Sequence, residues 1–161
     1  MQRKSIFMKR ICLIIGVLAL FGFVSCHQNR EGNVVVSREF PTLSWERFDF
    51  VKSTIELEKP ITYNLELETA FDESYPYDYF SMTFAVFDPT GHPLRARDYK
   101  FILKDREGLW KSESDEGLYH FRFPINNELS LNEPGSYTFQ VENHMPITPL
   151  TGIQEIKIIN K

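Results

Sequence analysis

The feature that most limits the fold of this chain is a two-residue period in hydrophobicity that recurs after residue 32. In ITYNLELET, Ile61, Tyr63, Leu65 and Leu67 alternate with Asn64, Glu66 and Glu68. In YFSMTFAVF the apolar set is Phe80, Met82, Phe84 and Val86. LYHFRFPI sets Tyr119, Phe121 and Phe123 against His120 and Arg122, and SYTFQVEN sets Tyr137, Phe139 and Val141 against Thr138, Gln140 and Glu142. Successive side chains of a strand point to opposite faces, so each segment reads as a strand with one face in a core and one in water. NVVVSREF, RFDFVKSTIEL, YKFILKD and GIQEIKIIN are weaker candidates. No stretch after residue 26 sustains a 3.6-residue apolar period.

Turn chemistry separates these segments. DPTG places Pro and Gly as a type I turn does, EPGS suits type II, and DREG is a further turn. Roughly seven or eight short antiparallel strands with such punctuation predict an all-β chain, an antiparallel β-sandwich of immunoglobulin-like or jelly-roll-like kind. LNEPGSYTF adds a Gly two residues ahead of a Tyr at a strand entrance, so Tyr137 is expected to be structural, its phenol tying a sandwich corner.

The start of the chain has another character. Lys9 and Arg10 precede the uncharged run 11–24, which ends at Val24-Ser25-Cys26. The run is 14 residues long. A spanning helix needs about 20 apolar residues, whereas a secretory signal has a basic start, a shorter apolar run and small residues at the cut. Val24-Ser25-Cys26 resembles a bacterial lipobox, with Phe23 where Leu is usual. The organisation read from this is a lipoprotein signal peptide over 1–25, a lipidated tether over 26–32 and one β-sandwich domain over 33–161.

Cysteine usage agrees with that division. Cys12 lies in the signal, so the mature chain keeps Cys26 alone and cannot form an internal disulfide. Thioether lipidation of Cys26 by two or three chains gives stable anchoring, which one chain does not. Cleavage also removes Arg3, Lys4, Lys9 and Arg10, so 14 basic residues face 22 acidic ones, a net charge of -8. Such a body suits neither nucleic acid nor anionic headgroups. The residue after Cys26 is His27, not the Asp that favours inner-membrane retention in the enteric pattern, and HQNREGN has only Glu31 as an acid. An outer-membrane position facing the periplasm is expected.

Catalytic signatures are missing. The sequence has no Gly-rich phosphate loop, no Gly-x-Ser-x-Gly, no His-Glu-x-x-His and no Cys-x-x-Cys. His27, His92, His120 and His144 each stand without a second ligand at metal spacing, and the adjacent pairs Asp72-Glu73 and Asp115-Glu116 point apart in extended chain. No enzyme, metal or cofactor is expected. Tyr75 and Tyr77 in DESYPYDYF, and Trp110 in a polar loop, are candidate contacts for a partner or a sugar ring, or alternatively covers for the open ends of the sandwich.

Taken in order, Trp45 with FDF, YNLELE, YPYDYFSMTF, the segment with Trp110, GLYHFRFPI, PGSYTFQVENHM and PLTGIQEIKI resemble the gliding-motility lipoprotein H (GldH) family of Bacteroidota. The most specific parts are Gly135-x-Tyr137 leading to Met145, and Leu150-x-Gly152-Ile153. The chain departs from the pattern at Pro146, where an Arg follows the methionine in the family, so a role resting on that Arg is not carried over. The resemblance implies a non-enzymatic envelope lipoprotein, an accessory or scaffold that binds other envelope proteins of the gliding machinery. The alternative is a glycan-binding sandwich lipoprotein.

Overall fold

The computed structural model describes residues 33–161, so the signal, the tether, Cys26 and His27 lie outside the described residues. Its strands are β1 (Asn33–Glu39), β2 (Ser44–Trp45), β3 (Val51–Leu57), β4 (Ile61–Asp72), β5 (Tyr79–Phe87), β6 (Pro93–Ile102), β7 (Ser114–Asp115), β8 (Leu118–Leu131), β9 (Gly135–Asn143), β10 (Leu150–Thr151) and β11 (Ile153–Asn160). One sheet runs β1-β11-β4-β8-β7 and the other β3-β9-β5-β6, with a short β10-β2 ladder. Every paired neighbour is antiparallel. The fold is the all-β antiparallel sandwich that the alternation implies.

The periodicity becomes the core directly. Tyr63, Leu65 and Leu67 of β4, Phe80, Met82, Phe84 and Val86 of β5, and Tyr137, Phe139 and Val141 of β9 are all buried. The two layers meet ring against ring: Tyr63 lies edge-on to Phe139 at 5.6 Å, and Phe101 of β6 stacks on Phe123 of β8 at 4.5 Å. On the wet face of the first sheet, Lys161 pairs with Glu66 at 3.0 Å, and Arg122 with Glu68. Exposed pairs of this kind contribute little stability.

Three segments differ from their expected bounds. β6 begins at Pro93, well before YKFILKD, because PLRARD is an edge strand exposed along most of its length and shows no apolar alternation. β8 continues past Pro124 to Leu131, since beyond the two pairs with β7 its second edge is open and a missing N–H costs nothing there. RFDF is not strand: Phe48 sits at φ +66°.

The sandwich has two unlike ends. Asn33 pairs with Asn160 at the same end as the turns 58–60, 88–92 and 132–134, so this is the end where the chain from Cys26 enters. At the other end lie the longer connections 40–50, 73–78, 103–117 and 144–149. We call them the tether pole and the loop pole.

At the tether pole, Gly91 N–H donates to the Asp88 carbonyl at 2.9 Å, closing the 88–91 turn. The Asp88 carboxylate accepts from the Thr90 hydroxyl at 2.7 Å and from the backbone N–H groups of Thr90 and His92, and the Thr90 bond first holds its carboxyl below the usual range. Gly135 does not take the type II geometry expected of EPGS. Its φ is +142° and it opens β9 directly, because Pro89 of the neighbouring turn lies where a side chain would stand, 2.5 Å from a Cβ position. Two residues on, the buried Tyr137 donates its hydroxyl to the Glu133 carbonyl at 2.9 Å.

Candidate functional site

All three candidate contact residues, Tyr75, Tyr77 and Trp110, fall at the loop pole, but the structure does not present them as a binding face. Tyr75 is 1 % exposed, donates its hydroxyl to the Tyr79 carbonyl at 2.9 Å, and has its pKa pushed up by burial. Phe71 lies tilted against it at 4.4 Å and the chain closes over it. Gly152 makes that closure possible: at φ +79°, a side chain there would meet Tyr75 N at 2.4 Å. Gly152 N–H donates to the Leu43 carbonyl at 2.8 Å and its own carbonyl accepts from Asp72 N–H at 2.9 Å, so one residue joins three segments.

Trp110 is half-buried. Tyr119 stacks on it at 4.2 Å with planes 9° apart, and the Lys104 ammonium stands 4.3 Å from the ring centroid. Two groups at those distances cannot share one face, so both faces of the indole are occupied. Lys104 also donates to the Tyr75 carbonyl at 3.0 Å, which ties the 103–117 connection to the 73–78 connection. Tyr77 is half-buried, edge-on to Tyr75 at 6.1 Å and tilted to Tyr79 at 5.7 Å. These aromatics cover the open end of the sandwich.

The exposed aromatic of this pole is one that sequence reasoning missed. Phe48 is 71 % exposed while its backbone stands at φ +66°. A bulky residue in that region is a genuine outlier and costs about 1–3 kcal/mol. Its neighbours hold it there. The Trp45 indole N–H donates to the Asp49 carbonyl at 2.6 Å, and Arg38 clamps the Asp49 carboxylate through two contacts of 2.7 and 2.6 Å. Arg47 N–H donates to Thr148 Oγ1 at 3.0 Å, and its guanidinium donates to the carbonyls of Met145 at 2.9 Å and Pro146 at 3.3 Å. No local sequence signal marks Phe48, because the ties of Arg47 to Met145, Pro146 and Thr148 each cross 98 to 101 residues of chain.

Beside Phe48 lies a concavity of about 440 Å³ lined by Arg47, Phe48, Tyr79, Glu142, Asn143, His144, Met145 and Pro146. Its floor is built. Met145 is 1 % exposed, its N–H donating to Asn143 Oδ1 at 2.9 Å, and the Asn143 amide donates to the Trp45 carbonyl at 3.5 Å. His144 stands 3.9 Å from Asp98 at the rim, and Ile147 is exposed on the loop that Arg47 holds. A second concavity, about 310 Å³, lies on the wet face of the first sheet, where Glu68 and Arg122 already pair. Among the described residues no three His, Cys, Asp or Glu side chains converge as a metal site would require. Tyr63, Tyr75 and Asp88 have shifted titrations, the tyrosines first through burial and Asp88 first through Thr90, and all three serve packing or a turn.

The match that decides the chain's kinship covers nearly all of this architecture: the model of the family described as GldH lipoprotein matches residues 35–158, from within β1 to within β11. The chain belongs to the GldH lipoprotein family. It is thus an envelope lipoprotein of the GldH type, associated with a membrane through lipid. No curated protein matches the chain. The residues that most specifically carry the GldH resemblance have places in the frame: Met145, Leu150 and Ile153 are buried, Gly152 joins three segments, and Gly135 admits Pro89. The Pro146 carbonyl is held by Arg47 from the facing loop.

Proposed function

We propose that this GldH-type lipoprotein is a non-enzymatic accessory or scaffold of the gliding machinery or a related envelope complex, anchored by lipid on Cys26 in the outer membrane and facing the periplasm. One observation carries the reading: the two poles of the sandwich are opposed. The chain leading from Cys26 enters at Asn33, while the long connections and Phe48 stand at the far end of strands such as β1, about 20 Å away at roughly 3.3 Å per residue. A body held at one pole and elaborated at the other suits a protein that meets partners away from its membrane. Arg47 and His144 of the first concavity and Glu68 and Arg122 of the second are engaged in structural contacts, which speaks for binding over catalysis.

In cells fed a fatty-acid analogue and treated with a crosslinker, the wild-type chain should carry the label and enter a heteromeric adduct, while Cys26→Ala loses the label. Equal labelling of the two chains would overturn the anchor. A chain recovered only as monomer would overturn the scaffold.

A further inference from the structure

We propose that the concavity beside Phe48 is the docking site of this lipoprotein, and that its occupant is a segment of another envelope protein bringing an apolar side chain flanked by lysine or arginine. The inference rests on the scaffold reading above and names its surface.

The apolar half of the argument is Phe48 itself. Neither packing nor backbone preference explains a phenylalanine there, because the ring is mostly in water and the φ of +66° is one that glycine or asparagine adopts at less cost. The surrounding ties fix the backbone and leave the ring free, which is the preorganisation an anchor residue needs. Ile147 stands on the tied loop, and Tyr79 and Met145 line the hollow. Aromatic anchors beside a hollow are where binding energy concentrates.

Charge selects the occupant. The connections 40–50, 73–78, 103–117 and 144–149 hold nine carboxylates against four lysines and arginines, and Glu142 lines the hollow itself beside Arg47, whose guanidinium is turned to the Met145 and Pro146 carbonyls. A cationic segment complements this pole. A second copy of the chain would set two acidic poles together, and an anionic bilayer would be repelled. A glycan is served poorly: the Asn143 amide is spent on Trp45 and Met145, and the Arg47 guanidinium on two carbonyls, so few polar groups remain to bond hydroxyls.

The test uses the full lipoprotein in its own cells, with the photocrosslinker p-benzoylphenylalanine replacing Phe48, Ile147 or, at the tether pole, Leu94, which is also exposed. Positions 48 and 147 should yield the same protein adduct and position 94 should not. The crosslinked peptide should contain lysine or arginine next to an apolar residue, and the adduct yield should fall several-fold when isolated membranes are moved from low to high salt. Phe48→Gly should reduce the adduct from position 147 at least tenfold while melting no earlier than the parent chain. A self-adduct, an unchanged yield in Phe48→Gly, or a salt-independent adduct with an acidic segment overturns the proposal. If position 94 alone captures a protein, the site falls and the scaffold reading stands. If no position captures one, both fall.

Discussion

The two poles of the sandwich close the same strands by opposite means. At the tether pole the decisive bonds are local: Tyr137 reaches Glu133 and Asp88 reaches Thr90 and His92, each within four residues. At the loop pole they are long-range: Arg47 reaches Thr148 across 101 residues, and Asn143 reaches Trp45 across 98. A local turn can form before the sheets meet, and losing one of its bonds leaves its neighbours in place. The loop pole exists only when the whole barrel of strands has assembled, and each residue that joins two connections supports the others. Damage should therefore spread at one end and stay confined at the other.

The largest effect should come from Gly152→Val. A Cβ there meets backbone atoms of Tyr75 at 2.4 and 2.6 Å at φ +79°, so the three joined segments must separate. A loss of about 4 kcal/mol or more is expected in urea titration. A midpoint near that of the parent would mean that the loop pole is not one cooperative unit. Trp110→Ala comes next, at about 3 kcal/mol, because it removes a ring packed on Tyr119, Phe71 and Phe121 and leaves Lys104 uncovered. A loss below that of Tyr137→Phe would invert the comparison. Tyr137→Phe, the smallest, keeps the ring and deprives only the Glu133 carbonyl, for about 1 kcal/mol. Hydrogen exchange should show faster opening of the 132–137 amides alone, and opening that reaches the 73–78 connection would end the distinction between the poles.

The same contrast explains what could be read from the sequence. β4, β5 and β9 were legible from their alternation, and Tyr137 because its corner is written in adjacent residues, whereas the geometry of Gly135 answers to Pro89 of another turn. The first half of β6 was not, since an edge strand exposed on both sides has no reason to alternate. Trp110 misled through its polar surroundings: the residues next to it face water, and what covers it are Tyr119 of β8, Phe71 of β4 and Lys104 from across its own connection. Phe48 sits in RFDFV, whose alternation resembles a strand, and only the distant Met145, Pro146 and Thr148 turn it out of one. The acidic excess was visible as a total, but its gathering at one pole needed the topology.

The pairing of Asn33 with Asn160 also decides how the body carries a pull. A load applied between Asn33 and the loop pole runs parallel to β1, so the ladder to β11, from Asn33↔Asn160 to Glu39↔Glu155, is strained in shear and its bonds must yield together. Drawing the two chain ends apart at the tether pole would instead peel the same ladder open, one pair at a time. The sandwich is stiff along β1 and weak where Asn33 and Asn160 are drawn apart.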